Sequence, residues 1–230
     1  MKPLFSVIIP TYESGKSLPL ALIGADKFLR ESGFEYEIIV ADAKSADQTA
    51  DIVRRFSALV RNLDLVSGGT VGHRGKALQA AVEASAGESL VVVDPRAAKI
   101  GETLSRMSSA FTADKARIFD VFIPQGAKNR NRLAESLLEI KHGDLFSGIA
   151  GFRRGCGTQV FPKIRLPGPG AVWEPVVVAG QAGFKIKTVD TGGIVGEASS
   201  LNNFRGNLGP LIRVAYGLRR DVYRLKNKNN

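Results

Sequence analysis

FSVIIPTYE at residues 5–13 and EYEIIVADAKSADQTADIV at residues 35–53 decide the fold. Each opens on an apolar run, SVIIP or YEIIVA, and turns polar where that run ends, at Thr11–Glu13 and Asp42–Asp47. A continuous apolar run, unlike an alternating one, is buried on both faces, which is how a strand inside a parallel sheet reads. Outward from these two, LDLV (63–66), SLVVVD (89–94) and IFDVFIP (118–124) repeat the pattern, and FKIKTVD (184–190) adds a further strand. Residues 16–31, 47–60, 75–86, 101–112 and 129–141 between them carry helical periodicity or propensity. The alternation predicts a single α/β domain with a mainly parallel central sheet flanked by helices. Ligands of such sheets bind beyond the carboxyl ends of the strands. Pro10–Glu13, Asp42–Asp47 and Asp94–Arg96 are therefore the first places to look.

The bulk properties narrow the class. Apolar residues make up 44% and charged residues 23% of 230, a globular composition that excludes disordered and collagen-like chains. Cys156 has no second cysteine to pair with, and Met1–Pro10 runs into a strand pattern without the layout of a signal peptide, so a reducing cytoplasm is expected. No apolar run approaches the roughly 18 residues of a membrane span. The formal net charge is +10, of which residues 205–230, with seven basic side chains against Asp221, hold +6. There Leu208, Leu211, Ala215, Leu218, Val222 and Leu225 recur at spacings of three and four, with Arg213, Arg220 and Arg224 between them and Pro210 at the start. This predicts a basic amphipathic helix that docks on the core or lies on an anionic membrane surface. His73, His142 and Cys156 are too few for a zinc cluster, no Ser-His-Asp set is evident, and no nucleic-acid-binding motif accompanies the basic charge.

The first two segments resemble the opening strands of the family 2 glycosyltransferases. In that family a strand ending in Pro-x-Tyr/Phe-Asn/Glu and a second ending in Asp-x-x-Ser-x-Asp-x-Thr hold the base and ribose of a sugar nucleotide. Pro10, Tyr12, Glu13, Asp42, Ser45, Asp47 and Thr49 fall on that pattern. The chemistry agrees: a carboxylate at a strand end accepts from a base N–H or ribose hydroxyl, and an aromatic such as Tyr12 flanks the base. Asp47 and Thr49 also suit a helix start. Ala43 and Lys44 stand where many members have Asp and Gly. GHRGKALQAAVEASAGESLVVVD (72–94) resembles the family's glycine-and-lysine stretch, a helix, then a strand with an acidic end. It is not a P-loop, because Thr70 and Ala77 break that motif. Arg74 and Lys76, at a helix start beside Gly72 and Gly75, are expected to face a diphosphate.

Asp94 falls on the first position of the family's Asp-x-Asp motif, which binds the metal coordinating the donor diphosphate, but Arg96 replaces the second Asp. The resemblance implies Mg²⁺ or Mn²⁺ at Asp94, weakly held, since a site of two carboxylates has lost one and gained a cation. In the second half HGDLFSGIAGFRR (142–154) and WEPVVVAGQAGFKIKTVDTGGIVGEASSL (173–201) resemble segments of enzymes that glycosylate polyprenyl phosphates, with Asp144, Ser147, Gly148, Phe152, Arg153, Arg154, Glu174 and Gly196–Ser199 carrying the match.

The resemblance implies a glycosyltransferase A fold and inverting transfer of a sugar from a nucleotide-sugar donor. Residues 1–98 read as a donor-binding half, 99–206 as an acceptor-facing half, and 207–230 as the basic helix and tail. Asp94, Arg96 and Asp144 are the expected catalytic residues, and Pro10, Tyr12, Glu13, Asp42, Arg74 and Lys76 the nucleotide-binding ones. Arg130, Arg132, Ser147, Arg153 and Glu174 are expected to bind the acceptor. Lipid phosphate or an anionic membrane surface is the further expected partner, which puts the chain in the cytoplasm, peripheral on the inner face of the membrane. Ala43, Lys44 and Arg96 also suit a noncatalytic relative that keeps the fold and acts as a nucleotide-binding or membrane-associated partner subunit.

Overall fold

The computed structural model describes residues 3–97, 99–125, 145, 147–168, 170–192, 209–210 and 212–217. The expected helix at 129–141, with Arg130 and Arg132, lies outside them, as do His142, Asp144 and Gly196–Ser199. Along the chain run β1 (Phe5–Thr11), α1 (Leu18–Ser32), β2 (Tyr36–Asp42), α2 (Thr49–Phe56), β3 (Leu63–Ser67), α3 (Arg74–Ala84) and β4 (Ser89–Val93). They are followed by α4 (Ile100–Ala113), β5 (Val121–Pro124), β6 (Ile149–Arg153), α5 (Arg154–Val160), a 3₁₀ turn (Phe161–Lys163), α6 (Gly170–Gln181) and β7 (Ile186–Val189).

The strands form one seven-stranded sheet in the order β3-β2-β1-β4-β6-β5-β7. β1 is parallel to β2 and β4, with Val7 opposite Ile38 on one side and Val91 on the other. Both of its faces are covered, and alternate side chains divide the core. Val7, Ile9, Ile38, Val40, Val91 and Val93 pack toward α1, α2 and α4. Ile8, Ile39, Ala41, Leu90 and Val92 pack toward α3, α5 and α6. The unbroken apolar strands follow from this double covering. α1 buries Leu18, Ala21, Leu22, Ala25 and Leu29 on one stripe, starts with a proline in its first turn and stops at Gly33, whose φ of 69° is the left-handed stop glycine favours.

The sheet differs from the expectation in two places. β6 is antiparallel to β4 and β5, so the sheet is mixed; its five residues, IAGFR, sit in a glycine-rich stretch that conceals a strand. β5 begins at Val121 rather than at 118, because the N–H groups of Ile118 and Phe119 donate to the Asp114 carboxylate, at 3.0 Å each, instead of to a neighbouring strand. Residues 209–210 and 212–217 are helical, and Val214 and Ala215 are buried in the α3/α6 side of the core while Ile212 and Tyr216 are exposed. The described part of the basic segment thus docks one stripe on the core.

Candidate active site

The chain order reverses direction at β1: it steps outward to β2 and β3, then returns to β4 on β1's other side. That switch point opens a crevice at the carboxyl ends of β1 and β4. The β1–β4 pairing ends at Ile8 opposite Val92, and Pro10, with no N–H for a ladder, lies beyond the last pair. Pro10 is buried opposite Ala41.

Asp42 organises the loops on one side of the crevice. Thr11 Oγ1 donates to its Oδ1 at 3.1 Å, the Ser45 N–H to its Oδ2 at 3.0 Å, and the Ser45 hydroxyl also to Oδ1. Ser45 Oγ in turn accepts from the N–H of Glu13 at 2.9 Å, so Glu13, itself exposed with a φ of 49°, is tied to the second loop. Asp42 is 3% exposed, and the bonds from Thr11 and Ser45 take three of the about four acceptor positions of its carboxylate. Asp47 accepts from the N–H of Thr49 at 3.0 Å and of Gly15 at 2.9 Å, and bonds the Thr49 hydroxyl. Its chemistry here is that of a loop clamp at a helix start. Tyr12 lies against Gly72, where a Cβ would come within 3.4 Å of the ring and φ is 73°; glycine there lets the 68–72 loop pass beside the aromatic face.

Across the crevice Arg96 folds back on Asp94. Its Nε reaches Oδ1 at 2.9 Å and its Nη2 reaches Oδ2 at 2.7 Å, a bidentate pair, and its own N–H donates to Oδ1 at 2.9 Å. Arg74 brings Nη1 to 3.7 Å from Oδ2 and donates from Nη2 to the Tyr12 carbonyl at 3.4 Å. Asp94 is 3% exposed. Burial by itself raises its pKa, but the hydrogen bonds and charge of Arg96, with the charge of Arg74, outweigh it and hold the carboxyl below the usual range. Burial lowers the pKa of Arg74, against the pull of Asp94, while the bond to Asp94 raises that of Arg96. Sequence reasoning singled out all three residues but not the closure of Arg96 onto Asp94.

As placed, these groups do not fit a divalent ion. Three hydrogen bonds from Arg96 take three of the four acceptor positions of Asp94, and the Arg74 guanidinium stands 3.7 Å from the oxygen that carries the fourth. A dication about 4 Å from one guanidinium is repelled by on the order of 8 kcal/mol at an effective permittivity near 20. Among the described residues no three His, Cys, Asp or Glu side chains converge.

Other expected residues are redistributed. The N–H of Arg74 donates to the Pro167 carbonyl at 2.8 Å and that of Lys76 to His73 Nδ1 at 3.2 Å, so the start of α3 does not offer these two donors to an anion as expected. The side chain of Lys76 is exposed. The 165–168 loop presses so closely on α3 that a Cβ at Gly75 would meet the Leu166 carbonyl at 2.5 Å. Glu174 holds that loop: fully buried, it accepts from the N–H groups of Arg165 at 2.9 Å and Leu166 at 2.8 Å. Its expected place was at an acceptor; here both carboxylate oxygens bond the loop backbone. Arg153, also expected at an acceptor, pairs with Ser89 at the amino end of β4, about 13 Å along the strand from the crevice. There it donates to the Phe111 carbonyl and to Asp114. Ser147 does lie at the crevice end, closing a turn with Ile149 beside Gly148, whose carbonyl accepts from the Asp94 N–H at 2.7 Å. Pro167 and His73 were not singled out; the side-chain-free Gly75 at a helix start is the signal that a backbone approaches there.

A groove of about 860 Å³ runs between α1 and α4, apolar along Leu20, Phe28 and Ile100, with a rim of mixed charge in which Lys99 pairs with Glu102, and Pro95 and Arg96 line it too. It shares Arg96 with the crevice; the charged groups and strand ends belong to the crevice.

The family model for glycosyl transferase family 2 matches residues 6–157. Dolichyl-phosphate beta-glucosyltransferase of Homo sapiens is 33% identical over 101 residues, covering 39% of this chain and 30% of that protein. The chain therefore matches under a third of the human protein's length. Among solved structures, glucosyl-3-phosphoglycerate synthase from Mycobacterium tuberculosis in complex with Mn²⁺, UDP-glucose and phosphoglyceric acid superposes with a TM-score of 0.68, at 15% identity, over 98% of this chain and 82% of that one. Its complex with phosphoglyceric acid alone gives 0.70 at the same identity and coverage. These structural likenesses speak for the fold, a glycosyltransferase A arrangement with a mostly parallel sheet. With the family model spanning Ser6 to Gly157, from β1 into α5, the chain belongs to glycosyl transferase family 2.

Proposed function

We propose that the chain transfers a sugar from a nucleotide-sugar donor to the phosphate of a lipid, with inversion at the sugar carbon. The observation that carries this reading is the crevice at the β1/β4 switch point, where Tyr12, Asp42 and the two guanidiniums of Arg74 and Arg96 gather at the carboxyl end of the sheet of a family 2 fold and offer positive charge to a diphosphate. In a single displacement an acceptor oxygen forms a bond to the sugar carbon as the bond to the diphosphate oxygen breaks. The chain's part is to hold both reactants in line and to stabilise the departing charge. A phosphate monoester, with a second pKa near 6, is largely dianionic at neutral pH and needs no general base. Asp144, the base candidate for a hydroxyl acceptor, lies outside the described residues.

Two observations support a lipid acceptor: the human relative acts on dolichyl phosphate by its name, and the α1/α4 groove, apolar along Leu20, Phe28 and Ile100, leads to Arg96. No described helix is long and apolar enough to cross a membrane; contact with a bilayer on this reading is peripheral. A second reading, a noncatalytic nucleotide-binding or membrane-associated partner subunit, is favoured by the closure of Arg96 over Asp94. A turnover panel of UDP-, GDP-, ADP- and dTDP-sugars with polyprenyl phosphates of several lengths separates the two. Sugar transfer to a polyprenyl phosphate supports the enzyme, and thermal stabilisation by a sugar nucleotide without transfer to any acceptor supports the partner subunit.

A further inference from the structure

We infer that Arg74 and Arg96 form a metal-free clamp for the donor's diphosphate, with Asp94 positioning the two guanidiniums. This rests on the donor reading above. Both arginines converge on one carboxylate oxygen, Asp94 Oδ2, at 3.7 and 2.7 Å. Two cations against one anion leave a net positive charge where the family pattern of two carboxylates would leave a negative one that calls for a metal ion. Among the described residues, Asp94 is the carboxylate within ion-pair distance of both guanidiniums.

The donor inventory points the same way. Arg96 spends two of its five side-chain N–H groups on Asp94. Its side chain is 48% exposed, so the three others are available to phosphate oxygens in the planar geometry that guanidinium and phosphate share. Arg74 is different, with a side chain 13% exposed and anchored by Tyr12 and Asp94. It supplies a fixed charge at the floor of the crevice. Asp94, held between the two guanidiniums, acts through the arginines, as a positioning residue. The charge that develops on the leaving diphosphate is then met by preorganised N–H groups.

Calorimetric titration of the full chain with UDP, GDP, ADP and dTDP, each in EDTA and in Mn²⁺, tests the clamp, with the matching nucleosides as phosphate-free probes. At least one diphosphate is expected to bind in EDTA with an affinity that Mn²⁺ leaves nearly unchanged. Arg96→Ala should weaken that binding about ten- to a hundredfold, as expected for a lost charged hydrogen bond, while nucleoside affinity stays the same. Arg96→Asp, which restores the family's second carboxylate, should bind Mn²⁺ by its electron paramagnetic resonance signal where the natural chain does not, and should make diphosphate binding metal-dependent. Diphosphate binding by the natural chain that requires Mn²⁺, or that survives Arg96→Ala undiminished, overturns the clamp and leaves the donor reading in place. Binding of no diphosphate under either condition overturns both.

Discussion

Replacing Glu174 by Gln removes one of the two carboxylate oxygens that hold the Arg165–Leu166 backbone. The N–H groups of Arg165 and Leu166 each have one oxygen, at 2.9 and 2.8 Å, and the side chain is fully buried. A glutamine keeps one acceptor and turns an amide NH₂ toward the other N–H, leaving a buried donor unsatisfied at a cost of about 1–3 kcal/mol. At roughly 2–4 °C per kcal/mol for a chain of this size, thermal melts should fall by about 2–12 °C. The effect should reach the crevice, because Pro167 in the same loop accepts from the Arg74 N–H and Leu166 abuts Gly75; diphosphate affinity should drop moderately, and Glu174→Ala should do more of both. Differential scanning fluorimetry and calorimetric titration read the two effects. An unchanged melting temperature together with a raised acceptor KM would refute this reasoning and return Glu174 to the acceptor site.

Asp42→Ala should lower both stability and nucleotide affinity, because Thr11 and Ser45 lose their shared partner; a melting temperature equal to that of the natural chain would contradict its loop-holding role. The Asp114 carboxyl is pushed up by burial but held below the usual range overall by bonds from Phe119, Ile118 and Arg153. A depressed folded pKa contributes stability that is complete above the unfolded value near 3.9 and is lost as pH falls through the folded one. Melting temperatures should therefore decline below about pH 4, and Asp114→Asn should flatten that decline; an identical pH profile would exclude it. Truncation after Asn207 should destabilise the fold, since Val214 and Ala215 leave the core, and should weaken sedimentation with anionic liposomes at low salt; equal liposome binding by both chains would remove the tail from any membrane role.

The strands were legible because their physics is one-dimensional. A run such as SVIIP, buried on both faces, shows its environment residue by residue, and the polar ends at Thr11–Tyr12, Asp42 and Asp94 mark where a parallel sheet opens. That is enough to place Arg74, Asp94 and Arg96 near one crevice before any coordinates. β6 escaped because its five residues are half glycine and alanine in character, and its pairing with β4 is a contact between residues about 60 apart in sequence. Orientation escaped with it. Once β6 runs antiparallel, Arg153 is carried to the amino edge of the sheet while Ser147, six residues earlier, stays at the crevice. Glu174 and Arg96 show the same division. Local periodicity is enough for the strands and for the charged residues that follow their carboxyl ends, while the family rested on the resemblance of the motifs at 5–13, 35–53 and 72–94. That Arg96 closes on Asp94 and that Glu174 turns into the core became visible in the folded chain alone, because a charged side chain's partner is chosen by what the fold brings within about 4 Å of it.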